Sequence, residues 1–355
     1  MRRALQLAEL ADGNTSPNPL VGAVVLNSCG KLVGEGFHLR SGMPHAEVEA
    51  LIQAGHEAKG GTLVVTLEPC CHHGRTPPCT EAILKAGIKK VVVALLDPDH
   101  RVSGAGISRL RDAGLEVLTG LLEEEAAFQN RAFYFRVKNG RPWGILKWAM
   151  SLDGRIALPN GDSQWISGAK ARNWVHSLRA KCDAVIVGSG TIRSDDPLLT
   201  SRGLSNPEPL RVVLTKSLNL PINAQLWDTT VAKTLIAYGP DALQEKLQQF
   251  PHGPELLTLD SSKPLELLNR LAEKGCNRVL WECGPSLATE AIAQDCVQEL
   301  AIVVAPKLLG GASAMTPLAD LGFSSMNQVL CLGNGSMQNL HGDWLLRMPL
   351  PKQKT

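Results

Sequence analysis

Aromatic residues are scarce in this chain, and neither sign of charge prevails. Trp, Tyr and Phe make up 4% of its 355 residues, too few for the stacking platforms that hold single-stranded nucleic acid. Lys plus Arg number 36 against 34 Asp plus Glu, a formal net charge of +2, which argues against a binder with a large basic face. No run approaches the ~20 apolar residues of a membrane span. The start, MRRALQLAELADGN, is amphipathic, carries acidic residues and lacks the continuous apolar core of a secretory signal. There is no internal repeat and no low-complexity tract. The expectation is a cytoplasmic globular protein with neither nucleic acid nor membrane as partner; homo-oligomerisation stays open. Disulfide density is absent too. Of the nine cysteines, at 29, 70, 71, 79, 182, 276, 283, 296 and 331, three fall within ten residues and the rest are scattered. The cluster reads first as a metal site and the scattered thiols as core residues.

What is present is enough apolar sequence, 44%, for two domains or three. Residues 19–27 and 31–39 are β-branched runs flanking the turn Ser28-Cys29-Gly30, which predicts a hairpin. A helix over about 45–58, a strand over 62–68, a helix from near Pro77 and a strand over 89–96 follow. A helix near 105–113, the strand LEVLTG and a helix over about 121–136 complete the first half. Strands separated by helices of this length mean a mostly parallel sheet covered on both faces. VKNGRPW (137–143) reads as the linker. The alternation then restarts and runs to a last strand, DWLLRMPL. Two α/β domains are expected.

The chemistry-bearing residues of the first half are His45-Ala46-Glu47 and, one strand later, Pro69-Cys70 and Pro78-Cys79. A catalytic zinc takes three protein ligands and leaves a fourth position for water, and His45, Cys70 and Cys79 supply three ligands of suitable softness. Thiolates at helix N-termini would be favoured by the backbone dipole. Glu47 diverges from His45 on a helix and suits a proton shuttle, as in zinc deaminases with His-x-Glu followed by two cysteines. Eight residues separate Cys70 from Cys79, more than in the short form of that motif. A closed zinc knot using His72 or His73 as fourth ligand is the alternative. Cys71 competes with Cys70 for register, and the motif favours Cys70.

The resemblance at this point is specific. Thr15-Ser16-Pro17-Asn18-Pro19, Val21-Gly22-Ala23-Val24, Gly36-x-His38, His45-Ala46-Glu47 and the run from Glu68-Pro69-Cys70 through His72-His73-Gly74-Arg75-Thr76-Pro77-Pro78-Cys79 resemble the deaminase half of the bifunctional riboflavin-biosynthesis deaminase/reductase family. Leu146-Lys147, Ser151-Leu152-Asp153-Gly154-Arg155, Ser163-Gln164-Trp165-Ile166, Leu178-Arg179-Ala180, Thr191 and Asp195-Asp196-Pro197 resemble its reductase half. The resemblance spans essentially the whole chain. It implies a cytidine-deaminase-like three-layer domain over 1–141, dependent on one zinc, and a dihydrofolate-reductase-like domain over 142–355, dependent on NADPH. The implied substrates are small phosphoribosylaminopyrimidines: a diaminopyrimidinone loses an amino group, then its ribosyl group is reduced to ribityl.

The same resemblance places residues near these molecules. Glu47 would carry the proton. Asn18, His38, Arg75, Asp97 and Lys147 would lie near the deaminase substrate, with Arg75 suited to phosphate. Asp99 stands where the family commonly has Asn, and an acid cannot donate the amide's hydrogen bond. Ser163, Arg179, Leu199, Arg202 and Glu282 would meet the reductase substrate, the two arginines at its phosphate. Ala149, Trp165, Thr191, Asp195 and Gly284-Pro285-Ser286-Leu287 would meet the cofactor. No Gly-x-Gly-x-x-Gly follows a strand, so the Rossmann fingerprint fails. Instead Gly284–Leu287 opens a helix whose amides suit a phosphate. Bland readings accompany several of these: Asn18 and Asp97-Pro98 as turn formers, His38 as a satisfied strand-end histidine, Trp165 as core, Asp195 as a helix cap, and Lys216 as an exposed turn residue with the NADPH 2′-phosphate as its functional alternative. The rivals are a nucleobase- or tRNA-acting zinc deaminase joined to an unrelated α/β domain, and a non-catalytic zinc-stabilised module, for which Glu47 would have no use.

Overall fold

The computed structural model describes residues 1–73, 77–99, 103–242 and 253–351. The chain divides into two compact units, Met1–Gly140 and Arg141–Thr355.

The first unit is built on five strands, β1 (Gly22–Leu26), β2 (Leu32–Phe37), β3 (Thr62–Leu67), β4 (Lys90–Leu95) and β5 (Glu116–Thr119), in the order β2-β1-β3-β4-β5. β1 and β2 form the expected antiparallel hairpin, with Gly22 opposite Phe37. β1 also runs antiparallel to β3, while β3, β4 and β5 are parallel. Side chains alternate between the faces of a strand. Ala23, Val25, Leu63, Val65, Val91 and Val93 therefore pack with α2 (Ala46–Ala54), α3 (Cys79–Lys85) and α4 (Ala105–Asp112), while Val24, Val64 and Val92 pack with α1 (Arg2–Glu9). Burial on both faces explains why these strands read as unbroken apolar runs. Gly22 permits the close seating of α1, because a Cβ there would stand 1.9 Å from the Ala4 carbonyl oxygen.

The end of this unit departs from the sequence reading. The expected helix over 121–136 is two, α5 (Glu123–Gln129) and α6 (Arg131–Asn139). Between them the buried Asn130 side chain accepts from Leu20 N and donates to Leu20 O, both at 2.8 Å. α6 then runs through the residues read as linker and stops only at Gly140, in the left-handed conformation (φ 69°) that glycine adopts without strain.

The second unit carries nine strands: β6 (Trp143–Ser151), β7 (Ala184–Gly188), β8 (Leu210–Thr215), β9 (Thr234–Tyr238), β10 (Glu255–Thr258), β11 (Arg278–Trp281), β12 (Glu299–Ala305), β13 (Ser336–Leu340) and β14 (Asp343–Pro349). Their order is β10-β9-β8-β7-β11-β6-β12-β14-β13. The seven from β10 to β12 are parallel, and β14 and β13 add an antiparallel edge. β13 was not expected from the sequence; its residues, SMQNL, carry no apolar run and all but Leu340 are exposed. One sheet face packs α9 (Pro264–Glu273) and α10 (Pro285–Ala293), and the other packs α7 (Ala169–Ala180) and α8 (Ser189–Asp195). Among the described residues no helix is long and apolar enough to cross a membrane.

Candidate active sites

In the first unit β3 ends at Leu67, and the chain turns through Cys70 and Cys71 before α3 begins at Cys79. The Cys79 amide, at the start of α3, donates to Cys70 Sγ at 3.3 Å, so both sulfurs lie where a helix N-terminus favours negative charge. His45 is the N-cap residue of α2. Its Nδ1 lies 3.1 Å from Cys79 Sγ and 3.6 Å from Cys70 Sγ. One ligand atom from each of the three residues lies within 4.8 Å of the others, and among the described residues no other His, Cys, Asp or Glu joins the group. His72 and His73 are exposed, so the closed-knot alternative gains no fourth ligand.

The electrostatics fit a cation. The hydrogen bond between the two thiols pushes Cys70 down to about 4 and Cys79 up, with burial raising both. The pair alone thus keeps one proton; a dication in its place ionises both sulfurs. Glu47, the second residue of α2, is buried beside this group, and burial pushes its carboxyl up against the opposing influence of His45. A buried acid with raised pKa is suited to taking up and releasing a proton near neutral pH.

Around the metal position, His38 is buried and fully hydrogen-bonded. Its Nδ1 donates to the Pro44 carbonyl at 3.1 Å, which leaves Nε2 to accept from Asn18 Nδ2 at 3.0 Å. Burial pushes His38 down, keeping it neutral, and its ring meets His45 edge-on at 5.5 Å. Asn18 and His38 are therefore brought to the site as a pair. Asp97 follows β4; burial pushes its carboxyl up, and its Oδ1 accepts the Asp99 amide at 2.9 Å, so it also forms the turn. Arg75 lies outside the described residues.

Glu68, quoted within a motif but given no role by the sequence, ties these parts together. Its buried carboxylate accepts the amides of Asp97, Gly104, Gly106 and Ile107 at 2.9–3.2 Å, fixing the α4 N-terminus and the Asp97 turn beside Cys70. A Cβ on Gly106 would lie 2.1 Å from the Pro69 carbonyl oxygen. Gly106→Ala is therefore expected to lower zinc affinity by displacing the Cys70 segment, read as zinc retained after dialysis against a weak chelator; full retention would show that this packing does not position the ligand.

In the second unit Glu282 and Gly284 follow the C-terminal end of β11 and Thr191 follows that of β7, the end at which open α/β sheets bind ligands. Glu282 follows β11. Arg179 of α7 holds it bidentately, Nε to Oε1 at 2.6 Å and Nη2 to Oε2 at 3.0 Å, while Arg179 Nη1 donates to Thr200 O at 3.0 Å. Lys147 of β6 stands 4.0 Å from Glu282 Oε2, which places it with this group. Despite burial, Arg179 and Lys147 hold the Glu282 carboxyl down to about 2. His176, unremarked in the sequence although it precedes Arg179 by one helical turn, also borders the group: burial, Arg179 and Arg202 push it down.

Leu199 is buried, and Arg202 is exposed; both have positive φ, 54° and 59°. Gly284 is the N-cap of α10, and Leu287 lies against Gly188, where a Cβ would stand 3.2 Å from its Cδ2. Thr191 and Asp195 lie on α8. Asp195 ends that helix, where a carboxylate opposes the dipole, so it is no N-terminal cap. Lys216 is exposed just beyond β8, 3.8 Å from Glu290. Ala149 lies half-buried on β6 and Ser163 half-buried in a loop. Trp165 is not core: it is 62% exposed, with Arg172 4.6 Å over its ring and its carbonyl accepting from Lys307 Nζ at 2.5 Å.

Residues 1–95 match the cytidine and deoxycytidylate deaminase zinc-binding region, and residues 142–346 match the RibD C-terminal domain. The chain is 51% identical over 346 residues to riboflavin biosynthesis protein RibD of a Synechocystis strain, covering 97% of this chain and 94% of that one. Acinetobacter baumannii RibD superposes with a TM-score of 0.89 at 39% identity, covering 99% and 98%. A diaminohydroxyphosphoribosylaminopyrimidine deaminase/5-amino-6-(5-phosphoribosylamino)uracil reductase from Thermotoga maritima superposes at 0.87 with 35% identity, covering 99% and 97%.

Proposed function

The chain belongs to the RibD family of riboflavin-biosynthesis deaminase/reductases, and from that premise we propose that its first unit deaminates a diaminohydroxyphosphoribosylaminopyrimidine and its second reduces 5-amino-6-(5-phosphoribosylamino)uracil with NADPH. The observation that carries the reading is the convergence of His45, Cys70 and Cys79 with the buried Glu47 beside them. When bound, zinc supplies a Lewis acid that makes water nucleophilic at neutral pH. Glu47 would take up a proton beside the metal position and pass it to the departing amine, which its raised pKa allows. Asn18, oriented by the neutral His38, offers hydrogen bonds to the pyrimidine, and Asp97 to the ribose.

In the second unit NADPH, when bound, would supply the hydride for reduction of the ribosyl group. The amides at the start of α10 suit its phosphates, with Thr191 and Asp195 of α8 and Ala149 of β6 beside it and Trp165 as neighbour to its nicotinamide. Glu282, ionised and aimed by Arg179 and Lys147, accepts a substrate hydroxyl. Arg202 takes the substrate phosphate, with the outer N–H groups of Arg179 alongside, and Ser163 and Leu199 complete the substrate contacts.

The test is incubation of the zinc-loaded chain with the diamino substrate, with and without NADPH, and identification of products by mass. Exchange of one amino group for oxygen without NADPH, and gain of two hydrogens with it, is expected. Reduction without prior deamination, or no deamination at all, overturns the assignment.

A further inference from the structure

Arg202 keeps its backbone in the left-handed region, and Gly203 follows at φ 80°. A non-glycine residue stays there only when its surroundings over-determine it. Here the surroundings are one carboxylate. Glu208 accepts the Ser201 amide through Oε2 at 2.5 Å and the Gly203 amide through Oε1 at 2.7 Å. The two amides that bracket Arg202 are thus tied to opposite oxygens of one planar group. Ser201 is buried, and its hydroxyl accepts the Ser205 amide at 3.1 Å. On the other side Thr200 O is held by Arg179. The segment is closed from both directions, with the amides of Ser201, Gly203 and Ser205 engaged, and it presents the exposed Arg202 side chain as a donor to an anion.

We propose that Glu208 is a positioning residue for reductase substrate: it sets the backbone from which Arg202 reaches the phosphoryl group. This rests on the reading of Arg202 as a phosphate ligand. A carboxylate beside an anion site would ordinarily repel the ligand. Glu208 has both oxygens engaged by amides, and Arg179 contributes a neighbouring positive charge. Both oxygens are needed, since a side-chain amide has only one acceptor and would release one of the two peptide groups.

The experiment is a mutant cycle on the full chain, with steady-state reduction of the deaminated, phosphorylated intermediate and NADPH binding followed by fluorescence. Glu208→Gln should raise KM for that substrate roughly tenfold, with kcat and the NADPH Kd unchanged and no rise on the dephosphorylated analogue. Added to Arg202→Ala, Glu208→Gln should raise KM no further, because nothing remains to be positioned. If Arg202→Ala alone leaves KM unchanged, the phosphate reading fails. If Arg202→Ala raises KM but Glu208→Gln does not, or multiplies it equally in both backgrounds, the positioning role fails while that reading stands. Should Glu208→Gln not fold, Glu208→Asp, which keeps both oxygens on a shorter stem, enters the same cycle with the same criteria.

Discussion

Glu47→Gln is expected to keep one zinc per chain and to lose deamination by roughly two to four orders of magnitude, the usual contribution of a positioned proton carrier. The geometry separates the two roles. The ligand group is His45, Cys70 and Cys79, and a glutamine occupies the buried space of Glu47 without a carboxyl to take up and release a proton. Cys79→Ala removes a ligand atom and should lose both metal and activity. Emission spectroscopy for metal beside a deamination assay decides the matter. A metal-free Glu47→Gln protein would make Glu47 a ligand and sink the assignment.

Arg179→Ala is expected to cost the second unit about 3–5 kcal/mol of stability at neutral pH, the range for leaving a buried ion without its partner. Glu282 is 10% exposed in its side chain, and its remaining cation, Lys147, stands at 4.0 Å. The pH dependence carries a sign. In the wild type Glu282 is held down to about 2, so its contribution is complete above its unfolded value, declines as pH falls from about 4.5, and is gone below about 2. Without Arg179, burial prevails and the carboxyl rises above its unfolded value, so that stability is instead lost as pH rises through the new value. Chemical denaturation of both proteins across that range measures this. Glu282→Gln added to Arg179→Ala should recover much of the loss, since an amide needs no counter-ion; no recovery would show that lost packing, rather than stranded charge, is the cause.

The second result also limits what Arg179 can say about substrate. Sequence and resemblance paired Arg179 with Arg202 as equal phosphate ligands. The structure commits two edges of the Arg179 guanidinium to Glu282 and Thr200, so an alanine there disturbs the carboxylate and the Arg202 segment together. Arg202, exposed and without that burden, is the cleaner probe.

What the sequence determined by itself was whatever depends on local periodicity and on residue type. Alternating strands and helices gave two α/β units, because both periods are written in the spacing of apolar residues. His45, Glu47, Cys70 and Cys79 were legible because few other uses exist for thiols and a His-x-Glu in that arrangement. Tertiary structure decided what rests on pairing between distant segments. β13 escaped notice because an exposed edge strand needs no apolar pattern. One expected helix became two because Asn130 is bonded to Leu20, 110 positions away. Glu68, Glu208 and His176 look in sequence like any solvated acid or helix-face histidine. Folding sets Glu68 and Glu208 against backbone amides and His176 beside Arg179 and Arg202, and the sequence does not say which neighbours each will meet.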